Sequence, residues 1–299
     1  MNVIMTKTPV ILDTDIGSDI DDTWALGLLL KSPELDLKLV TTCTDDTPYR
    51  AKIVARMLEI AGKSDIPIGI GPRESEDLGP QGPWVIDYDL SRYPGKIHAD
   101  GIDALIQTVM NSAGPVTIIT IGPLTNIALA LAKESRIASK ARIVAMLGSI
   151  HVGYGENSTP AAEYNVARDA SACQHVLAAP WDITLTPLDT CGNVILAGEH
   201  YKSILDSNDA IAQAIVENYE TWNFARGYTT KPDETSVLFD TVAVYLAISE
   251  DLVNMAQLNI IVNKKGFMKI RGDGKACRCA LSWKDFDRYK AWLVERLTS

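Results

Sequence analysis

The chain has 299 residues, of which 46% are hydrophobic and 22% are charged, and its formal net charge is −10. These fractions exclude an intrinsically disordered chain, and the longest apolar stretches fall short of the about 20 residues that a membrane span needs. The acidic balance argues against a nucleic-acid partner.

Short apolar strands alternate with helical patterns from the start of the chain. Strands are predicted at 10–12, 37–42, 66–70, 116–121, 142–147 and 182–185, and helices at 21–31, 49–61, 102–111, 124–133 and 170–177. This alternation predicts a mostly parallel central sheet with helices on both faces, a Rossmann-like open α/β fold. We expect one domain over residues 1–299 whose part from about residue 198 is mainly helical, with strands at 258–262 and 268–271 and a helix at 283–297.

Residues 71–95 form the longest stretch without a regular pattern, rich in Gly, Pro, Asp and aromatic residues. Long loops in compact domains are often functional lids, so we interpret this segment as one. The five cysteines do not match a zinc spacing, and the N-terminal residues lack the long apolar core of a signal peptide. Reduced thiols and a cytoplasmic location are therefore predicted.

Five aspartates lie within ten residues directly after the first predicted strand: Asp13, Asp15, Asp19, Asp21 and Asp22. Helix capping accounts for one or two of them. Five neighbouring carboxylates repel one another unless a cation, protons or hydrogen-bond donors compensate. A hard divalent cation with oxygen ligands is the natural partner, so the cluster predicts a metal site.

Further polar residues follow other predicted strands or precede helices. They are Asp46, Asn157, Glu163, Asn165 and Asp240. Because ligand sites in such sheets lie at the carboxyl ends of the strands, we expect these side chains at the same edge as the aspartates. Asp240, directly before the apolar stretch 242–248, could by itself be only a helix cap.

Four separated segments, in order, resemble the nucleoside hydrolases of the inosine–uridine-preferring type. They are 13–17 with Asp21, Asp22, Ala25 and Leu26; 122–128; 146–148 with Asn157 and 162–165; and Phe239 with Asp240. The resemblance runs from residue 10 to about 250. It implies a calcium-dependent N-ribohydrolase that cleaves the bond between ribose and a nucleobase. It also implies a small-molecule ribonucleoside as partner and a homodimer or homotetramer.

The resemblance also implies residue roles. Ca²⁺ would be held by the carboxylates of Asp15, Asp22 and Asp240 and by the backbone carbonyl of Thr125. Asp15 would also be the general base for water. Ribose contacts would come from Asp21 at the 2′-hydroxyl, Asn157 and Glu163 at the 5′-hydroxyl, Asn165 at the diol, and Asp46. A ring of acids also suits an oxocarbenium-like transition state.

The chain departs from this family pattern in three places. Two extra residues precede Asp21, which leaves Asp19 as an alternative ligand. Asp45 and Asp46 stand where typical members have Gly-Asn. Phe239 stands where typical members have a histidine that is associated with protonating the departing base. We therefore consider other leaving-group contacts, either histidine or stacking aromatic rings: His151, Trp84, Trp222, Tyr228 and Phe239 itself. For His151 a loop role, and for Trp222 a core role, are the alternatives.

Three other functions remain open. The enzyme could hydrolyse a different N-ribosyl compound, or the scaffold could bind a nucleoside or ribose without turnover. Asp13 and Asp15 after a hydrophobic strand also resemble the haloacid-dehalogenase-type phosphatases, although 122–128 and 162–165 have no role there.

Overall fold

The structure, a computed structural model, describes residues 7–227 and 233–299. Within these ranges ten strands form one sheet: β1 (Thr8–Thr14), β2 (Leu35–Thr42), β3 (Ile68–Ile70), β4 (Ile97–His98), β5 (Val116–Thr120), β6 (Ala141–Met146), β7 (Asp182–Thr186), β8 (Val253–Val262), β9 (Met268–Ile270) and β10 (Lys275–Trp283).

The strand order is β4-β3-β2-β1-β5-β6-β7-β10-β8-β9. Every pairing from β4 to β10 is parallel, whereas β8 pairs antiparallel with β10 and β9 antiparallel with β8. The chain runs outward from β1 in one direction through β4 and then resumes on the other side with β5. The carboxyl ends of β1 and β5 are therefore a topological switch point, where α/β proteins form their ligand clefts.

Eleven α-helices accompany the sheet in the described residues: α1 (Asp21–Leu30), α2 (Thr47–Ile60), α3 (Gly101–Asn111), α4 (Thr125–Lys133), α5 (Tyr164–Arg168), α6 (Ala170–Ala178), α7 (Leu188–Cys191), α8 (Glu199–Leu205), α9 (Ala210–Ala225), α10 (Thr241–Ile248) and α11 (Phe286–Thr298). None of them is long and apolar enough to cross a membrane. The predicted mostly parallel α/β fold is confirmed.

Two helices, α1 and α10, lie deep in the core and determine where the acids meet. All ten residues of α1 are buried, Asp21 and Asp22 among them, and α10 is buried from Thr241 to Ala247. The two helices pack against each other. Because Asp240 immediately precedes α10, their packing brings acids from distant parts of the chain together.

The structure differs from the sequence prediction mainly in the last third of the chain. β10 was not predicted, because its charged and small residues resemble a loop. Pairing with β7 and β8 nevertheless buries Cys277 and Cys279 completely. The five cysteines are free thiols, and all five are buried.

Candidate metal and substrate site

Three buried carboxylates converge at the carboxyl edge of the sheet. Asp21 and Asp22 begin α1 and Asp240 precedes α10, and one oxygen atom of each lies within 4.8 Å of the others. The Asp240 backbone N–H donates to Asp21 Oδ2 at 3.3 Å, and Thr14 Oγ1 donates to Asp22 Oδ1 at 2.5 Å. These contacts hold the cluster in place.

The electrostatics of this cluster call for a cation. Burial raises the pKa of Asp21, Asp22 and Asp240 well above the usual range, and repulsion between the neighbouring carboxylates raises it further. Oxygen-only ligands of this kind match a hard divalent ion, which would offset both the desolvation and the repulsion. The donor set therefore fits a metal site.

Asp15 lies in the same cavity, at the end of β1, but is not one of the three converging carboxylates. Burial raises its pKa to about 6, while the Arg50 guanidinium opposes that shift. Its own charge in turn raises the pKa of Asp22 and Asp240. A buried carboxylate with a pKa near neutrality is suited to accept a proton from water.

Two other predicted ligands lie outside the three-carboxylate cluster. Asp19 is exposed at the rim of the cavity, where its carboxylate accepts the Ile20 backbone N–H at 2.7 Å. Thr125 begins α4, and its hydroxyl donates to Asp169 Oδ2 at 2.8 Å. Thr125 is not among the described residues that line the cavity.

The cavity around the acids has a volume of about 330 Å³, and Glu163 and Asn165 form one of its walls. Glu163 caps α5 and accepts the backbone N–H groups of Asn165 at 2.7 Å and Gly148 at 2.8 Å. Burial raises its pKa to about 7. Asn165 Nδ2 donates to the Ile121 and Met146 carbonyls, which fixes the side chain at the ends of β5 and β6.

Gly148, which donates to Glu163, packs closely against Met268. Its φ is +83°, and a Cβ at this position would lie 2.2 Å from the Met268 sulfur of β9. Only glycine combines that backbone conformation with so close a neighbour.

An aromatic pair also lines the cavity. The rings of Tyr154 and Phe239 meet edge to face, with centroids 6.1 Å apart, and Arg226 lines the same cavity. The Tyr154 hydroxyl accepts the Tyr164 backbone N–H at 2.8 Å. No role for Tyr154, Tyr164 or Arg226 was predicted from the sequence. The one available signal for Tyr154 was its place in the loop after β6, on the functional edge.

Two predicted ribose contacts do not line the cavity in the described residues. Asp46 caps α2 by accepting the Tyr49 N–H, and it forms an ion pair with Arg73 at 2.9 Å. Asn157 accepts the Thr159 backbone N–H at 2.9 Å and so folds back on its own loop.

Most of the suggested leaving-group contacts also lie elsewhere. Trp84 is buried beneath Arg56, whose guanidinium carbon is 4.1 Å from the ring centroid, so this part of segment 71–95 packs on the core. Trp222 is buried too, and its Nε1 donates to the Ser18 carbonyl at 3.1 Å. His151 is exposed outside the cavity. Of the suggested residues, Phe239 lines the cavity, and Tyr228 lies outside the described residues.

Asp13, the nucleophile that a phosphatase would need, points into a buried network instead. Its Oδ1 accepts hydrogen bonds from Thr41 Oγ1 and from Asn126 Nδ2, the latter at 2.7 Å. It does not line the cavity. The geometry therefore gives no support to the phosphatase alternative.

Comparison with known proteins identifies the family of the chain. The family model described as inosine-uridine preferring nucleoside hydrolase matches residues 10–291. The pyrimidine-specific ribonucleoside hydrolase RihA of Photobacterium profundum is 34% identical over 224 residues, 70% of this chain and 69% of that protein. An uncharacterized protein of Schizosaccharomyces pombe is 36% identical over 191 residues, and the match spans 60% of this chain but only 61% of that protein.

Solved structures agree with the sequence relatives. A plant nucleoside hydrolase superposes with a TM-score of 0.83 at 25% identity, over 98% of this chain and 100% of the other. The chain therefore belongs to the inosine-uridine preferring nucleoside hydrolase family, and so to the hydrolases that act on N-glycosyl compounds.

Proposed function

We propose that the protein is a calcium-dependent ribonucleoside hydrolase that releases ribose and a free base. The observation that carries this proposal is the buried cluster of Asp21, Asp22 and Asp240 in a cavity of about 330 Å³ that Glu163 and Asn165 also line. The name of the Photobacterium relative, a pyrimidine-specific ribonucleoside hydrolase, supports the substrate class.

Asp22 and Asp240 would hold the ion, together with Asp15 and the Thr125 carbonyl, as the sequence resemblance implies. Asp21 lies against both carboxylates, so a ribose hydroxyl bound by Asp21 would lie next to the ion. Bound Ca²⁺ would supply positive charge and, with its 6–8 oxygen ligands, would leave room for a water and ribose hydroxyls.

The chain's own residues would perform the proton transfer and the positioning. Asp15 would accept a proton from the attacking water as the water oxygen bonds to C1′. The bond from C1′ to the base nitrogen would break at the same time, and its electron pair would leave with the base, which then takes up a proton. Glu163 would accept a hydrogen bond from the 5′-hydroxyl, and Asn165 would contact the diol, which orients the sugar. The surrounding carboxylates would stabilise the positive charge that develops on the ribosyl group.

The test measures released reducing sugar from inosine, adenosine, guanosine, uridine and cytidine. Release that a chelator abolishes, and that Ca²⁺ restores better than Mg²⁺, is the expected result. Sugar release that is insensitive to chelation would contradict the metal dependence. Binding of nucleosides without any turnover would favour the non-catalytic alternative, and turnover confined to other N-ribosyl compounds would favour a different substrate.

Two further predictions from the sequence belong to this proposal: a cytoplasmic location and a homodimer or homotetramer. Sedimentation of the purified protein checks the second of them. A monomer at micromolar concentration would contradict it.

A further inference from the structure

The turn that joins β1 to α1, residues 15–20, begins with Asp15 and leads directly into Asp21 and Asp22. Each main-chain carbonyl of this turn accepts a hydrogen bond. The donors, in chain order, are Arg50 for Asp15 and Ile16, the Tyr49 hydroxyl for Gly17 at 3.1 Å, Trp222 Nε1 for Ser18 at 3.1 Å, Gln81 Nε2 for Asp19 at 2.6 Å and the Thr23 N–H for Ile20 at 3.0 Å. Side chains from α2, α9 and segment 71–95 therefore hold most of this turn.

This turn needs such support for two physical reasons. It is two residues longer than the family pattern, and a longer turn has more conformational freedom to lose on folding. The carboxylates at its two ends also repel one another when no cation is bound, which favours opening of the turn. Donors on its carbonyls oppose both effects, so the position of Asp15 relative to Asp21 and Asp22 depends on these donors.

Among the donors, Gln81 also contacts the side chain of a residue in α1. It lies in segment 71–95, yet its side chain is completely buried. While Nε2 donates to the Asp19 carbonyl, Oε1 accepts hydrogen bonds from Asn218 Nδ2 at 2.7 Å and from Thr23 Oγ1 at 3.1 Å. Thr23 directly follows Asp22 in the first turn of α1. One amide group thus connects the turn to the helix that carries two of the three clustered carboxylates.

The backbone near Gln81 lies directly against the turn. A Cβ at Gly79 would lie 2.3 Å from the Gly17 carbonyl oxygen, closer than a side chain can approach. Glycine at this position therefore allows segment 71–95 to pass close enough for Gln81 to reach the Asp19 carbonyl. Gln81 is not among the described residues that line the cavity, so its contacts are with the protein and not with a ligand there.

We propose that Gln81 is a positioning residue for the metal site: it fixes Asp21 and Asp22 by binding the main chain at Asp19 and the side chain of Thr23. Two of its three partners flank Asp21 and Asp22 in the sequence, which a role in folding alone would not require. The inference rests on the proposed function and adds to it a residue outside the cavity. Loss of the amide should therefore weaken the site for its ion, in addition to any loss of stability.

The experiment measures Ca²⁺ binding to the metal-free protein by isothermal titration calorimetry, at a temperature where circular dichroism shows each variant to be folded. Gln81→Met keeps the length of the side chain but removes both polar atoms. It should bind Ca²⁺ about 10-fold more weakly than wild type, because groups that orient metal ligands contribute to metal affinity on this scale. Thr23→Val, which removes one contact of Gln81 and keeps the side-chain shape, should cause a smaller loss.

Two controls separate positioning from stability. Gln174→Met makes the same substitution where the amide donates to the Val262 carbonyl at 2.9 Å, outside the cavity. Ser32→Ala removes a buried hydroxyl that donates to the Leu28 carbonyl at 2.7 Å, beyond the other end of α1. Both should bind Ca²⁺ like wild type, even where their melting temperature falls.

A Gln81→Met protein that melts at a lower temperature but binds Ca²⁺ as tightly as wild type would overturn the inference and leave the ribohydrolase proposal intact. An equal loss of affinity in Ser32→Ala would do the same. If Gln81→Met does not fold, Thr23→Val decides, and wild-type affinity in that variant overturns the inference too. Wild type that releases ribose without binding Ca²⁺ would contradict the proposed metal dependence, and the inference with it.

Discussion

The buried guanidinium of Arg50 donates a hydrogen bond to the main-chain oxygen of Asp15 and another, at 2.8 Å, to that of Ile16. It also donates to the Thr44 carbonyl at 2.9 Å and to Asp45 Oδ2 at 3.0 Å. Thr44 and Asp45 have φ values of 61° and 50°, a region that L-residues seldom adopt. Arg50 therefore ties together the loops that follow β1 and β2.

Replacing Arg50 by Met should damage both stability and turnover. The substitution leaves buried carbonyl oxygens without donors and releases the loop that carries Asp15, so the free energy of unfolding should fall by about 3 kcal/mol. We expect kcat to fall more than KM rises. Urea unfolding and steady-state kinetics measure the two effects, with the exposed Arg92→Met as control. Wild-type kcat in the Met variant would contradict a positioning role.

The metal cluster can be tested by binding alone, without reference to catalysis. Asp240→Asn keeps the shape of the side chain but removes one of three converging charges, so Ca²⁺ affinity should fall by about 100-fold or more. Isothermal titration calorimetry of the metal-free protein measures this directly. The exposed Asp87→Asn should bind like wild type. Unchanged affinity in Asp240→Asn would place the ion elsewhere.

Glu163 makes the stability of the chelated protein depend on pH. Its pKa is raised from 4.5 to about 7 in the folded chain, because the carboxyl is buried. Between pH 4.5 and about 7, the unfolded chain releases the Glu163 proton while the folded chain retains it. The contribution of Glu163 to the free energy of unfolding is therefore complete below pH 4.5 and is lost as the pH rises toward 7. A shift of this size corresponds to about 3 kcal/mol.

Thermal or urea unfolding at pH 5 and pH 8, with chelator present, compares wild type with Glu163→Gln. The other buried carboxyls are common to both proteins, so their contribution cancels in the comparison. Wild type should lose more stability than the Gln variant over this interval. Equal losses would show that Glu163 is ionised throughout.

Trp84 should act on the fold and not on the substrate. Its indole is buried under Arg56 and its Nε1 donates to Glu217 at 3.5 Å, outside the cavity. Trp84→Phe should therefore lower the free energy of unfolding by about 1–2 kcal/mol and leave KM for uridine unchanged. A rise in KM at unchanged stability would instead support the original interpretation of this residue as a base contact.

The sequence was sufficient to predict the parallel sheet, because its buried strands are continuous apolar runs that alternate with helical patterns. The sequence also predicted that Asp22 and Asp240 lie together, but only through the resemblance to a family. Nothing in the local pattern places α10 against α1, since that contact depends on how two fully apolar helices pack in three dimensions.

Residue type alone does not predict which aromatic side chains line the cavity and which are buried in the core. Trp84, Trp222 and Tyr154 are all plausible stacking partners as residue types, yet two are buried in the core and one lines the cavity. Their orientation depends on neighbours such as Arg56 and Ser18, which are distant in the chain. The ion pair between Asp46 and Arg73 is likewise not visible in the sequence.

The contact between Gly148 and Met268 has a consequence for any attempt to divide the chain. Gly148 donates to Glu163 from the parallel part of the sheet, while Met268 belongs to the antiparallel strands at its far edge. In a chimaera that joins the first two thirds of this chain to the last third of a relative, a different residue could replace Met268. The packing against Gly148, which donates to Glu163, would then change. A larger side chain at 268 would push on Gly148 and on the loop that donates to Glu163, so compatibility at this position limits which homologous segments are interchangeable.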